Sequence, residues 1–109
     1  MELADSPVIA AVRSLPEFEE ALVSPAETLF LLSASLLSLE EYIRRAHEKQ
    51  KHVFVHMDLA EGLGKDAAGI TFLRQIGTDG VISTRGSLIR IAREHGLQTV
   101  QRFFIVDSH

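Results

Sequence analysis

His56 and Asp58 stand two residues apart at the end of an apolar run, Val53 to Leu59. A strand repeats its side-chain direction every two residues, so Phe54, His56 and Asp58 share one face and Val53, Val55 and Met57 the other. An imidazole and a carboxylate aimed the same way can hold the hydroxyls and oxyanion of a small polar ligand. The same pair would equally serve as a packed hydrogen bond. A third option is a divalent metal, which His and Asp both suit, but a catalytic site needs at least one more ligand. The chain holds no second H-x-D or H-x-H. Gly62-Leu63-Gly64-Lys65-Asp66 follows and resembles a phosphate loop only superficially. That loop requires Gly at position 59 and Ser or Thr at 66, where this chain has Leu59 and Asp66. A turn followed by a helix cap explains the segment better.

A second group of polar residues is Ser83-Thr84-Arg85-Gly86-Ser87, just ahead of an amphipathic stretch. Backbone N–H groups at a helix start, with hydroxyls and a guanidinium, suit an anion. Capping by Thr84 or Ser87 would account for the hydroxyls but not for Arg85. Arg13 ends an earlier apolar strand and joins the candidates, as do Gln101 and Asp107 on the last strand. Arg44, Arg45, Lys49 and Lys51 form a basic cluster suited to the phosphates of RNA, and only Tyr42 lies near enough to stack on a base.

These groups are carried by an alternation of strands and helices. Residues 7–12 read as a strand, and Ser14-x-x-Glu17 with Pro16 opens a helix to about Val23. Residues 28–32 make a second strand, and Ser38-x-x-Glu41 caps a helix over about 39–50. The third strand is the one bearing His56 and Asp58, and the third helix starts near Asp66. A fourth strand covers 81–83. The fourth helix puts Leu88, Ile91, Ala92 and His95 on one face and stops at Gly96, and the fifth strand runs over 99–106. The repeating βα order at about 22–27 residues per unit predicts a single α/β domain of five parallel strands and four helices over 1–109. Half of a TIM-type (β/α) barrel and a flat doubly wound sheet both fit. In either, ligands bind at the carboxyl ends of the strands.

Composition bounds the function. Apolar residues make up 46% of the 109, which is ordinary for a globular chain. Cysteine is absent, which excludes disulfides and thiolate metal sites and suits a reducing cytoplasm. The amino terminus does not read as a signal peptide, and no apolar run approaches the roughly 20 residues that cross a bilayer. Net charge is −4, yet residues 1–42 hold one Arg against eight acids while 43–109 hold ten bases against seven. The carboxyl-terminal part is the one that would meet an anionic partner.

The segments VFVHMDLAEGLGKD (53–66) and DGVISTRGSLIRIAREHGLQTVQRFFIVDS (79–108) resemble the glycerol uptake operon antiterminator regulatory proteins. PVIAAVRS and the stretch 28–56 resemble that family's first two βα units. The resemblance implies a (β/α) barrel that binds glycerol 3-phosphate, engages leader messenger RNA and lets transcription pass a terminator, with no cofactor and no catalysis. It also implies that Gln101 and Asp107 face the barrel interior while Arg102 faces the helices or an open edge. Family members continue through three more strands with glycine-rich and Ser-Thr-Ser segments. Half a barrel would leave two edge strands, which self-association or a completing partner would cover. A fragment of a metal-dependent sugar-phosphate isomerase or epimerase is the alternative reading.

Overall fold

In a computed structural model the described residues are 8–103. β1 (Ile9–Val12), β2 (Thr28–Leu31), β4 (His52–His56), β6 (Gly80–Ser83) and β7 (Gln98–Gln101) form one sheet in that spatial order, every neighbouring pair parallel. Two short strands, β3 (Ala34–Ser35) and β5 (Ala60–Glu61), pair separately. The helices are α1 (Leu15–Leu22), α2 (Leu36–Glu48), α3 (Ala67–Gln75) and α4 (Gly86–Glu94).

Chain order and spatial order coincide across the sheet. Right-handed crossovers that always step in one direction put every helix on the same side. The core agrees: Val12, Leu29, Leu31, Val53, Val55 and Val81 pack with Phe18, Leu39, Ile43, Ile70, Leu73, Leu88 and Ala92. A doubly wound sheet needs a reversal of strand order and helices on both faces. The half-barrel alternative is therefore the one observed, with the barrel not closed. The opposite face carries Ile9, Phe30, Phe54 and Ile82, and Phe30 and Phe54 meet at 5.3 Å between ring centres. Gly80 makes room for this layer, since a Cβ there would lie 2.4 Å from the Phe54 ring.

Helix starts follow the local chemistry, with one correction. Ser14 accepts from the Glu17 N–H at 3.3 Å, while Glu17 reaches back to the Arg13 N–H at 2.6 Å. Asp66 caps α3 through the Gly69 N–H at 2.9 Å. The second helix begins three residues earlier than its S-x-x-E pattern predicts. Ser35 is the cap, accepting from the Leu37 N–H at 3.2 Å. Ser38 thus lies inside α2, where the short β3–β5 ladder fixes the entry of the chain. Gly96, at φ +80°, ends α4 as its position suggests.

Two further expectations change. The strand bearing His56 stops there, and Met57–Leu59 form a 3-10 turn. The fifth strand runs over Gln98–Gln101 and ends there, short of the expected Arg102 and Phe103, and the expectation for 104–106 lies outside the described residues.

Candidate functional site

Because the five strands are parallel, their carboxyl ends share one rim. β1 delivers Arg13 there, β2 delivers Ser33, β4 delivers His56 and then Asp58, β6 delivers Ser83 to Arg85, and β7 delivers Arg102. A cavity of about 480 Å³ is lined by His56, Asp58, Leu59, Thr84, Arg85 and Arg102. Beside it, a second of about 500 Å³ is lined by Arg13, Leu32, Ser33, Leu59 and Arg102. Leu59 and Arg102 belong to both, so the two form one rim-wide depression.

Asp58 organises this rim. The 3-10 turn swings its carboxylate onto the neighbouring strand end, where it accepts from the Ser83 hydroxyl at 2.6 Å, the Thr84 N–H at 2.9 Å and the Thr84 hydroxyl at 2.7 Å. Ser83 Oγ in turn accepts from the Arg85 N–H at 3.0 Å. Burial pushes the Asp58 carboxyl up, but these bonds and the neighbouring His56 outweigh it and hold the group below its ordinary value. Asp58 is an anion whose lone pairs are largely committed, and the hydroxyls of Ser83 and Thr84 are committed to it.

His56 is 2% exposed. Its Nε2 lies 2.9 Å from Arg102 Nη1. A guanidinium has donors only, so Arg102 donates and His56 accepts on Nε2, which makes the ring neutral with its hydrogen on Nδ1. Nδ1 is buried and has no hydrogen-bond partner among the described residues. Burial lowers the His56 pKa, Asp58 raises it and Arg102 lowers it further, and the net direction is down.

Arg102 is the residue sequence reasoning missed. Val100 pairs with Ile82 and Gln101 with Ser83, so Gln101 lies on the helix-facing side. Its amide nitrogen would sit 3.5 Å from a Cβ on Gly86, at the start of α4. Arg102 takes the opposite face, toward His56. The expectation for the two is thus reversed, because a one-residue change of phase exchanges every side chain of a strand. Asp107 lies outside the described residues. Among the described residues no third His, Asp or Glu joins His56 and Asp58 as a metal-binding group.

The basic cluster lies at the other rim and is largely paired. Arg44 meets Glu48 at 2.8 Å, and Arg45 meets Glu19 at 2.6 Å while lying 5.2 Å over the Phe18 ring. Lys49 is exposed. Lys51 is withdrawn from the cluster, being 8% exposed. Its Nζ donates to the carbonyls of Ser24, at 2.9 Å, and of Ala26. The long stem passes under the α1–β2 link, and the carbonyls there replace water around the ammonium. No helix of the described residues is long and apolar enough to cross a membrane.

The family described as glycerol-3-phosphate responsive antiterminator matches residues 8–109. An uncharacterized protein of Escherichia coli (strain K12), YgcP, is 33% identical over 107 residues, spanning 97% of this chain and 56% of that one. The crystal structure of a glycerol uptake operon antiterminator regulatory protein from Listeria monocytogenes superimposes with a TM-score of 0.88 at 30% identity, over 98% of this chain and 58% of that one. That of a glycerol uptake operon antiterminator-related protein from Thermotoga maritima gives 0.83 at 31% identity, over 94% and 58%. The chain thus spans a little over half the length of these relatives. With this match along nearly all of its length, the chain belongs to the glycerol-3-phosphate responsive antiterminator family.

Proposed function

We propose that this protein is a cytoplasmic regulator that holds glycerol 3-phosphate at the carboxyl rim and engages leader messenger RNA so that transcription passes a terminator. It binds its effector without transforming it. The observation that carries the reading is the family match over 8–109, joined to a rim on which Arg13, His56, Asp58, Arg85 and Arg102 converge. Arg13 and Arg85 supply charge for the phosphate. His56 faces the phosphate beside them, and Asp58, with Ser83 and Thr84 held to it, borders the polyol. Gln101, on the helix-facing side, is left out of the effector set, and Asp107 is kept in it. Arg44 and Arg45, after exchanging their carboxylate partners, and the exposed Lys49 contact RNA phosphates. The single (β/α) domain associates with a second copy, or with a partner that completes the barrel, along β1 or β7.

The test is binding of a glycerol uptake operon leader RNA to the full chain, with and without glycerol 3-phosphate. The reading expects affinity to rise with the effector and to fall steeply with salt. Equal affinity with and without effector would sink it. Sedimentation reads the association separately, and a strict monomer would remove that part of the proposal.

A further inference from the structure

We propose that the cavity between His56 and Arg85 is a site for a tetrahedral oxyanion of two charges, gripped by Arg102 and Arg85, and that its binding draws one proton onto His56. The inference deepens the effector reading, on which it rests only for the identity of the natural ligand. It names the part of the effector that these residues hold.

Four features of the cavity carry it. Arg85 and Arg102 both line it, and among the described residues neither has a carboxylate within ion-pair distance. Asp58, the acid in the lining, is committed to Ser83 and Thr84. Arg102 spends a charged donor on a neutral imidazole, a poorer acceptor than an oxyanion. His56, 2% exposed, keeps a buried Nδ1 with no partner among the described residues. In addition, the cap residue of α4, Arg85, makes no side-chain capping bond among the described residues, although the N–H groups of Leu88 and Ile89 already turn to its carbonyl.

An entering dianion becomes the acceptor for Arg102, which leaves His56 Nε2. The freed lone pair takes a proton from solvent, no bond to carbon is made or broken, and the new N–H faces the anion. Two arginines and an imidazolium then stand against the dianion and Asp58. The charged groups around His56 among the described residues are Asp58 from the turn after β4, Arg85 from the β6–α4 link and Arg102 from β7, with Arg13 and Glu61 beyond Leu59. Burial and Arg102 keep the ring neutral in the empty protein, and the anion reverses the second cause.

Sulfate is the probe, because its charge is constant over the working pH range and any proton taken up belongs to the protein. Calorimetry of the full chain with sulfate, in two buffers of different ionisation heat, should give close to one proton bound per anion above neutral pH. Affinity should fall about tenfold per pH unit there. Arg102→Gln should weaken sulfate by about tenfold or more. His56→Gln should lose the proton uptake and the pH slope. Imidazole nitrogen resonances provide a check independent of whether that variant folds: Nδ1–H alone in the empty protein, and both nitrogens protonated with sulfate. No binding of sulfate or inorganic phosphate at about 10 mM, no proton uptake, or an indifferent Arg102→Gln variant each overturns the assignment. Glycerol 3-phosphate is titrated in parallel. If it binds and both variants are indifferent, the assignment falls and the effector reading stands. If sulfate behaves as expected and glycerol 3-phosphate binds no tighter, the site stands and the effector reading falls.

Discussion

Asp58 accepts two hydrogen bonds from Thr84 alone, one from its N–H at 2.9 Å and one from its hydroxyl at 2.7 Å. With Ser83 Oγ on the other oxygen, this carboxylate ties the end of β4 to the end of β6. Asp58→Asn keeps the shape but turns an amide toward donors. The expected loss is about 2 kcal/mol in urea unfolding, since hydrogen bonds to a charged group are the stronger kind. The same variant should weaken ligand binding at Arg85, whose N–H rests on Ser83.

Acid should destabilise the fold in two stages. The His56 pKa is lowered on folding, so its contribution is full above the ordinary value of 6.5 and is lost as pH falls toward the folded value. Asp58 is also lowered, so its contribution is present above 3.8 and is lost at still lower pH. Unfolding free energy measured from pH 8 to 3 should therefore decline first below about pH 6.5. In His56→Gln that first decline should disappear while the second remains.

Lys51 behaves as a structural residue in this geometry. Lys51→Met retains the apolar stem but leaves the carbonyls of Ser24 and Ala26 without their donor. A cost of about 2 kcal/mol, or of order 10 °C in Tm, is expected. RNA affinity of the folded fraction should be unchanged.

Gly80→Ala places a methyl group into the Phe54 ring. Overpacking of this kind costs about 1–3 kcal/mol. Phe54→Leu in the same chain should recover part of the loss, and a double-mutant cycle in urea reads the coupling.

The double variant Arg44→Ala/Arg45→Ala should lower RNA affinity and flatten its salt dependence by about one to two phosphate contacts. Loss of the Arg45–Glu19 contact also exposes the Phe18–Tyr42 stack, whose rings lie 4.3 Å apart. Thermal unfolding should be recorded alongside binding.

Much of this was legible from residue order. Continuous apolar runs separated by capped, amphipathic segments sufficed for parallel strands, and parallel strands oblige His56, Asp58, Arg85 and Arg13 to meet at one rim. Side-chain phase on β7 was not legible. Both faces of 99–106 mix polar with apolar residues, so alternation does not say whether Gln101 or Arg102 points inward. The 3-10 turn at Met57–Leu59 was hidden as well, because an apolar Met-Asp-Leu reads as more strand. Ser35 and Ser38 both suit a cap, and the β3–β5 pairing that selects Ser35 joins residues 26 apart. Lys51 looked like its basic neighbours. Its inward turn depends on carbonyls from a link some 25 residues away.

Every helix packs on one side of the sheet, and His56 and Arg102 project from the other, beside Phe54 and Ile82. Phe54 and Ile82 are themselves buried, so a protein surface laid on that side would meet the exposed Ile9 and Arg102, the second of them assigned to the proposed anion. If the proposed anion reorients Arg102 at such a contact, linkage makes the effect reciprocal: the anion alters the affinity of the covering surface by the factor by which that surface alters the anion's.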